Sequence, residues 1–512
     1  MRTLDRQNPE KSSRWIPLYL VSATSLYLYL NLFTLRNIPY LLSGDQMFFW
    51  LDAMRMLRGE HVYRDFFQFT APGTDLYFFA LFRLFGVHIW VTNLALIPLG
   101  AALSWICFDL ASQIMGRKWA LLTAALYVVF IYGRMMDATH HWFSLLALAC
   151  AIRTLMTART TTRVAIAGAL LAIASFFTQT VGVAGLTGFF FALAWERQAG
   201  GLRWPRIIRL QVLLMSSFAI VWLLENAYFI AALGWKQLWD LWVVYAAQHV
   251  VYTHHILSSG LHETLTSGVQ RLGILSLMLC AYPLTWIYCL RSRSQPHFQK
   301  GMQLLLLSLP GFFLMLEMLM KPNWSRIYIA SLPAFVLFVC LLANLPKRRY
   351  AAGLMWIGLS CSALSQTLSL HRQARQMIQF PAGQAVPLYT RYNEELSWLA
   401  EHTKPGDLFL EATWLNVYLP LKLYSPVFVD GLWPDARTPP EYVALTLLQT
   451  DRSQVKYIMW QPEFTGPVDG PPDQTDTLQP FRLYVTQHYK RVQVFSNGDE
   501  IWERVTLQER KP

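Results

Sequence analysis

Charge is scarce in this chain. Only 14% of its 512 residues are Asp, Glu, Lys or Arg, while 54% are hydrophobic and 14% aromatic, with a mean hydropathy of +0.29. That composition leaves apolar surface on any globule it could form, so a water-soluble enzyme is excluded. Cysteine is scarce as well. The six cysteines, Cys107, Cys150, Cys280, Cys289, Cys340 and Cys361, lie within or at the ends of apolar runs, which excludes a disulfide framework and zinc spacing. No glycine-rich nucleotide loop and no repeat of fixed period occurs.

What charge there is falls unevenly. Residues 1–370 hold 29 Lys and Arg against 14 Asp and Glu, whereas residues 371–512 hold 14 against 17. This contrast divides the chain into a membrane part, 1–370, and a water-exposed part, 371–512. The overall excess of +12 does not indicate nucleic acid, because the cations sit in short loops between apolar runs, where they set membrane orientation.

A bilayer core of about 30 Å needs about 20 helical residues per crossing. Eleven apolar runs qualify, near 15–35, 88–112, 118–133, 138–156, 162–178, 180–195, 209–233, 271–290, 302–320, 327–345 and 350–369. The first follows Arg2, Arg6, Lys11 and Arg14, is too long for a signal segment, and is expected to remain as a span. With the N-terminus inside, alternate loops collect 19 of the 29 cations on that side. Eleven crossings then put the tail outside. Eight of the 14 acids fall in outer segments, so chemistry is expected on the outer face.

The first outer segment, 36–87, is longer than a connection requires. Asp45 to Arg58 places Asp45, Asp52 and Arg55 on one helical face, the pattern of a helix lying in the membrane surface. A second amphipathic stretch follows from Thr74 to Phe85. Trp235, Trp239, Trp242, Tyr245 and Tyr252 anchor another outer segment, 234–270, at the interface. The tail has the pattern of a small α/β unit: a helix over 392–402, strands over 408–411, 427–430, 455–460 and 492–495, and a helix from Pro439 to Thr450 with Thr438 as N-cap and Glu441 as capping-box acid.

Three outer loops carry candidate chemistry: Ser43-Gly-Asp45-Gln46, Arg134-Met-Met-Asp137-Ala-Thr-His140-His141, and Lys321-Pro-Asn-Trp-Ser-Arg326-Ile-Tyr328. Carboxylates from two loops and cations from the third would make a cleft that holds a phosphate and activates a hydroxyl. Structural roles stand beside the chemical ones. Asp45 is also placed to cap its helix, Asp137 to cap the fourth span or pair with Arg134, and Arg326 to reach lipid headgroups. Asp52 and Asp65 are expected to pair with Arg55 and Arg64. Neither His140 with His141 nor His254 with His255 has the spacing of helical zinc ligands.

The order of these features resembles the multispanning GT-C class of polyprenyl-phosphate-sugar-dependent glycosyltransferases, in particular the superfamily of protein O-mannosyltransferases and lipid A aminoarabinose transferases. The features are span one, Asp45, an interfacial helix ending at Gly59, a turn at Pro72, Asp137 after span three, and Arg326, Tyr328 and Pro333 opening a late span. The resemblance covers residues 15–345. It implies an α-helical polytopic protein of about eleven transmembrane helices with outer interfacial helices, followed here by the small α/β domain. It also implies a polyprenyl-phosphate-linked sugar donor, a lipid, glycan or protein acceptor, and transfer on the outer face of a bacterial inner membrane, with the N-terminus cytoplasmic and the tail periplasmic.

Residue by residue, Asp45 matches the family's first-loop aspartate, the base, and Asp137 its second-loop acid. Gln46 stands where many members have a second acid, which leaves a divalent metal open. The family's Glu-Lys-Pro-Pro turn is Phe69-Thr-Ala-Pro72 here, so its lysine is missing and Arg326 or Lys321, with Tyr328, would bind the donor phosphate. Asp65, Gln68, His140 and Gln179 are the remaining cleft candidates. A lipid or sugar transporter is the rival reading, which predicts inverted repeats and mid-membrane charges. A non-catalytic assembly protein is the third.

Overall fold

The computed structural model describes residues 15–200, 203–247, 269–291, 298–320, 324–346, 348–373, 376–388, 393–433, 438–464 and 476–505. A helix stands at each of the eleven apolar runs. They are α1 (Ile16–Leu32), α4 (Ile89–Ile114), α5 (Arg117–Phe130), α6 (His140–Thr157), α7 (Thr161–Phe177), α8 (Gln179–Gly200), α9 (Trp204–Leu233), α11 (Val269–Arg291), α12 (Phe298–Met320), α13 (Trp324–Ala343) and α14 (Arg348–Gln373). The first outer segment contributes β1 (Tyr40–Leu41), α2 (Gln46–Leu57) and α3 (Gly73–Phe85), and a short α10 (Trp235–Trp239) follows α9. Among the described residues, five helices, α4, α9, α11, α12 and α13, are long and apolar enough, by length and composition alone, to cross a bilayer. Trp15, Tyr19, Leu224, Tyr228 and Ile357 stand exposed on the helices, as lipid contact requires. The protein is a multi-pass membrane protein.

Small residues set the tightest helix contacts. A methyl group at Gly188 of α8 would lie 2.5 Å from the Pro310 backbone of α12, and one at Gly168 of α7 would lie 2.5 Å from the Leu214 carbonyl of α9. Backbones that approach this closely make dispersion contacts that lipid tails cannot replace.

The tail consists of β2 (Ile378–Phe380), β3 (Gly383–Pro387), α15 (Asn393–His402), β4 (Phe409–Glu411), α16 (Tyr418–Leu421), α17 (Pro440–Arg452), β5 (Tyr457–Trp460), α18 (Gln479–His488), β6 (Tyr489–Val494) and β7 (Glu500–Arg504). Four strands form a sheet in the order β4-β5-β7-β6, with β4 and β5 parallel and the others antiparallel. The turn at Asn497-Gly498 closes the β6–β7 hairpin, with Gly498 at φ 92°. β1 pairs in parallel with β3, Tyr40 opposite Val386, so the tail is stitched to the first outer segment.

Three local expectations are corrected. Residues 427–430 form no strand: the Phe428 N–H donates to Gln449 Oε1, and the Val427 and Phe428 carbonyls accept from Arg55 and the Phe67 N–H. Thr438 does not cap α17, because its hydroxyl accepts the Trp433 N–H at 2.9 Å. Helix α2 does not present its polar face to water: Asp52 and Arg55 are both 3% exposed, enclosed by the tail and the connector before α3. The histidines at 249, 254 and 255 lie outside the described residues.

Candidate functional site

The outer loops of the bundle converge where α2 begins. Gly44 takes φ 113°, a conformation that side chains rarely adopt, and a methyl group there would lie 2.8 Å from Asp137 Oδ2. Only glycine lets the Asp45 loop close onto Asp137. The Asp137 carboxylate accepts the Gln46 N–H at 3.2 Å, and the Gln46 side chain returns the contact by accepting the Ala138 N–H at 3.1 Å. Gln46 thus clasps two loops that are 91 residues apart in sequence. Asp45 occupies the N-cap position of α2 but makes no capping hydrogen bond to it, and its side chain is exposed.

The two acids are unlike in environment. Asp137 is buried, and burial first, then the charge of Asp45, push its carboxyl well above the ordinary carboxylate range. Burial and the charge of Asp45 act in the same direction, both favouring the neutral form of Asp137. The expected pairing of Asp137 with Arg134 does not form, since Arg134 donates to Ser362 Oγ at 3.0 Å, and Asp137 does not cap α6 either.

His140 opens α6 beneath this pair. Its ring meets Phe49 edge to face at 5.4 Å and His141 at 4.0 Å. Arg326, in the first turn of α13, lies within electrostatic reach of both imidazoles and donates to Glu317 Oε1 at 3.4 Å. Glu317 also accepts from Thr180 Oγ1 at 3.0 Å, so Arg326 is held at the helix entrance by α12 and α8. Gln179 donates to the Phe69 carbonyl at 3.0 Å and joins the α7–α8 break to the connector before α3. Tyr328 is buried. Lys321 lies outside the described residues. Asp65 stays at the outer rim, paired with Arg64 at 2.7 Å and accepting the His61 N–H at 2.7 Å.

A second acidic pair lies beneath the connector. Asp52 and Asp75 are buried side by side, and Gln68 Nε2 donates to Asp52 Oδ2 at 3.0 Å while its Oε1 accepts the Phe69 and Thr70 N–H groups. The expected Asp52–Arg55 pair is replaced by Arg55–Asp430 at 2.8 Å and Arg55–Glu60 at 2.7 Å. Burial, then the charge of Asp75, raises Asp52 well above the carboxylate range, and burial raises Asp75 to about 7. A raised carboxyl contributes stability that is present below its unfolded pKa and lost as pH rises through its folded value. The thermal midpoint is therefore expected to fall as pH rises from about 4 through about 7. In Asp75→Asn, which leaves one titrating carboxyl in place of two, that fall should shrink; equal slopes in a scanning-fluorimetry pH series would count against the buried pair as its source.

Among the described residues, no cluster of three or more His, Cys, Asp or Glu is placed to hold a metal. Asp45 and Asp137 supply carboxylate oxygens, but the amide oxygen of Gln46 is already occupied by Ala138 N–H. The pair alone does not complete a metal cage, and no step below is routed through one.

Sequence reasoning named Asp45, Asp137 and Arg326 as candidates but did not anticipate that Gly44 and Gln46 bring the two loops together. The Ser-Gly-Asp-Gln run carried the signal, since a glycine directly before a candidate base often marks a turn that no other residue can make.

No family model matches the chain, and no curated protein matches it. Solved structures do. The structure of ArnT from Cupriavidus metallidurans bound to undecaprenyl phosphate superposes with a TM-score of 0.57 at 12% identity, covering 98% of this chain and 100% of that one. The Archaeoglobus fulgidus oligosaccharyltransferase in complex with zinc and sulfate superposes with a TM-score of 0.52 at 14% identity, covering 86% and 67%. At such identities the likeness shows the fold, which is that of the GT-C membrane glycosyltransferases.

Proposed function

We propose that the protein transfers a sugar from a polyprenyl-phosphate donor to a hydroxyl acceptor on the outer face of a bacterial inner membrane. The observation that carries this reading is the convergence of exposed Asp45 with buried Asp137 at the mouth of a GT-C fold, with Arg326 at the adjoining helix entrance. Asp45 takes the proton of the acceptor hydroxyl. The acceptor oxygen forms a bond to the anomeric carbon, and the bond from that carbon to the phosphate oxygen breaks. Arg326, with Lys321 and Tyr328, meets the charge of the departing polyprenyl phosphate. Asp137, clasped by Gln46, fixes the loop that carries the base. A sugar already activated by phosphate requires no nucleotide at the outer face, and the neighbouring fold that binds undecaprenyl phosphate supports a lipid-borne donor.

The tail sits over α2 and shapes acceptor access, with the bundle through about 370 as the catalytic part. The reading is tested by incubating membranes that contain the protein with a panel of polyprenyl-phosphate sugars and following the products by mass spectrometry. A glycosylated product that depends on one donor is the expected result. Consumption of no donor, with the protein inserted at normal level, would remove the reading.

A further inference from the structure

At the end of the bundle away from Asp45, α8 and α11 close and α9 and α12 open around a cavity of about 580 Å³. Helix α6 measures the separation. It begins with His140 beside the site, and after 18 residues, about 27 Å, it reaches the level where the Met156 carbonyl accepts from Gln303 of α12. Phe191 and Ala194 of α8, Trp204 of α9, Trp286 and Leu290 of α11, and Phe312 of α12 line the cavity. Phe191, Trp204 and Leu290 stand exposed, which puts its mouth in the wall of the bundle, where hydrocarbon lies.

The lining dictates what can fill this space. Trp286 Nε1 donates to Ser308 Oγ at 3.1 Å and Cys289 Sγ to the Gly301 carbonyl at 3.5 Å, and among the described residues no lining side chain has a buried polar atom without a partner. A buried water needs several polar partners and finds none to spare here. A polar ligand would strand its own donors and acceptors, whereas a hydrocarbon chain gains the dispersion contacts that the void forfeits. Lipid tails outside are as apolar as the lining, so the cavity alone does not choose between lipids. Selection falls to the head group.

The head group meets cations. Residues 197–209 and 291–300, which lead into α9 and from α11 into α12 at this end, hold seven Lys and Arg and no Asp or Glu. Nearby acids are already engaged: Glu196 pairs with Arg159 at 2.7 Å, and Asp109 with Arg153. Arg203 directly precedes Trp204, Arg206 follows it within the first turn of α9, and Arg291 directly follows Leu290; all three are exposed. Basic residues beside an apolar cleft between membrane helices are the arrangement that receives anionic lipid head groups.

We propose that this cavity holds one acyl chain of an anionic phospholipid of the inner leaflet, with the lipid phosphate on Arg203, Arg206 and Arg291. The charge bias of the loops places this end inside. The bound chain joins the α8–α9 pair to the α11–α12 pair and is neither donor nor acceptor of the transfer, so the inference stands apart from the transferase reading.

Native mass spectrometry of the detergent-released full chain tests it. Dioleoyl phosphatidylglycerol and dioleoyl phosphatidylcholine, alike in chains and different in charge, are offered together to the wild type, to Ala194→Phe and to the double variant Arg203→Gln with Arg206→Gln. The wild type should retain the anionic lipid over the zwitterionic one by about tenfold or more. Ala194→Phe places a ring in the cavity and should lose the bound phosphatidylglycerol. The double variant alters only exposed side chains, so its thermal midpoint in lipid-free detergent should hold while its preference for the anionic lipid falls at least about fivefold; it keeps the test decisive if Ala194→Phe folds poorly. Equal retention of the two lipids by the wild type, or an undiminished preference in the double variant, overturns the proposal. So does unchanged phosphatidylglycerol retention in a folded Ala194→Phe. Displacement of the bound phosphatidylglycerol by an equimolar amount of undecaprenyl phosphate would assign the cavity to a polyprenyl tail and overturn it as well.

Discussion

Asp45→Asn should abolish transfer while leaving the protein in the membrane at its normal level. The loss of a positioned base lowers rate by about 10²- to 10⁴-fold, which is undetectable turnover for a membrane transferase of ordinary speed. The substitution is nearly isosteric, the residue is exposed, and it makes no capping bond to α2, so no folding penalty accompanies it. Asp137→Asn provides the contrast. Burial favours an uncharged side chain at 137, and an amide oxygen can still accept the Gln46 N–H, so the loop should hold and transfer should fall far less than in Asp45→Asn. Donor consumption and acceptor modification measured in parallel on both variants would check this. An Asp45→Asn protein with wild-type turnover would remove Asp45 from the mechanism; equal losses in both variants would mean that the two acids act as one unit.

The helices at the eleven apolar runs were legible because a pattern along a single segment is all that such a reading needs; among the described residues, five of them are long and apolar enough to cross a bilayer. The interfacial helix was legible as a helix but not in its setting. Its charged face suggested water, whereas Asp52 and Arg55 are buried by partners that lie in the connector and in the tail, and no local pattern announces a partner 375 residues away. The strands Phe409–Glu411 and Tyr457–Trp460 followed from short apolar runs. The apparent strand at 427–430 had the same composition, but side chains of α2 and α17 took its backbone groups before a sheet could. Asp45 and Asp137 were named as candidates from the charges of their outer loops, and the resemblance to GT-C enzymes supplied the roles expected of them; their contact through Gly44 and Gln46 is a tertiary fact.

Arg55 fastens the tail to α2 through a buried ion pair, and its removal should carry a large cost to stability. One guanidinium donates to Glu60 at 2.7 Å, to Asp430 at 2.8 Å, to the Val427 carbonyl at 2.7 Å and to the Asp65 carbonyl at 3.1 Å, and it lies over the Phe66 ring at 4.9 Å. The Arg55 and Asp430 side chains are each only 4% exposed. Burial pushes Asp430 above its ordinary value while Arg55 opposes the rise, so truncating Arg55 leaves an acid enclosed with little to offset its charge. Breaking a buried pair from one side costs about 3–5 kcal/mol. Arg55→Met should therefore lower the thermal midpoint sharply in detergent. Lys in its place should not rescue, because a single ammonium cannot span two carboxylates and two carbonyls in the plane of a guanidinium. The double variant Arg55→Met with Asp430→Leu should recover much of the loss, since the penalty lies in the stranded charge rather than in the missing attraction. If the tail positions the acceptor, Arg55→Met should also raise the acceptor KM at temperatures where the protein is still folded, with the donor KM unmoved. An unchanged midpoint in Arg55→Met would mean that the buried pair does not hold the tail to α2.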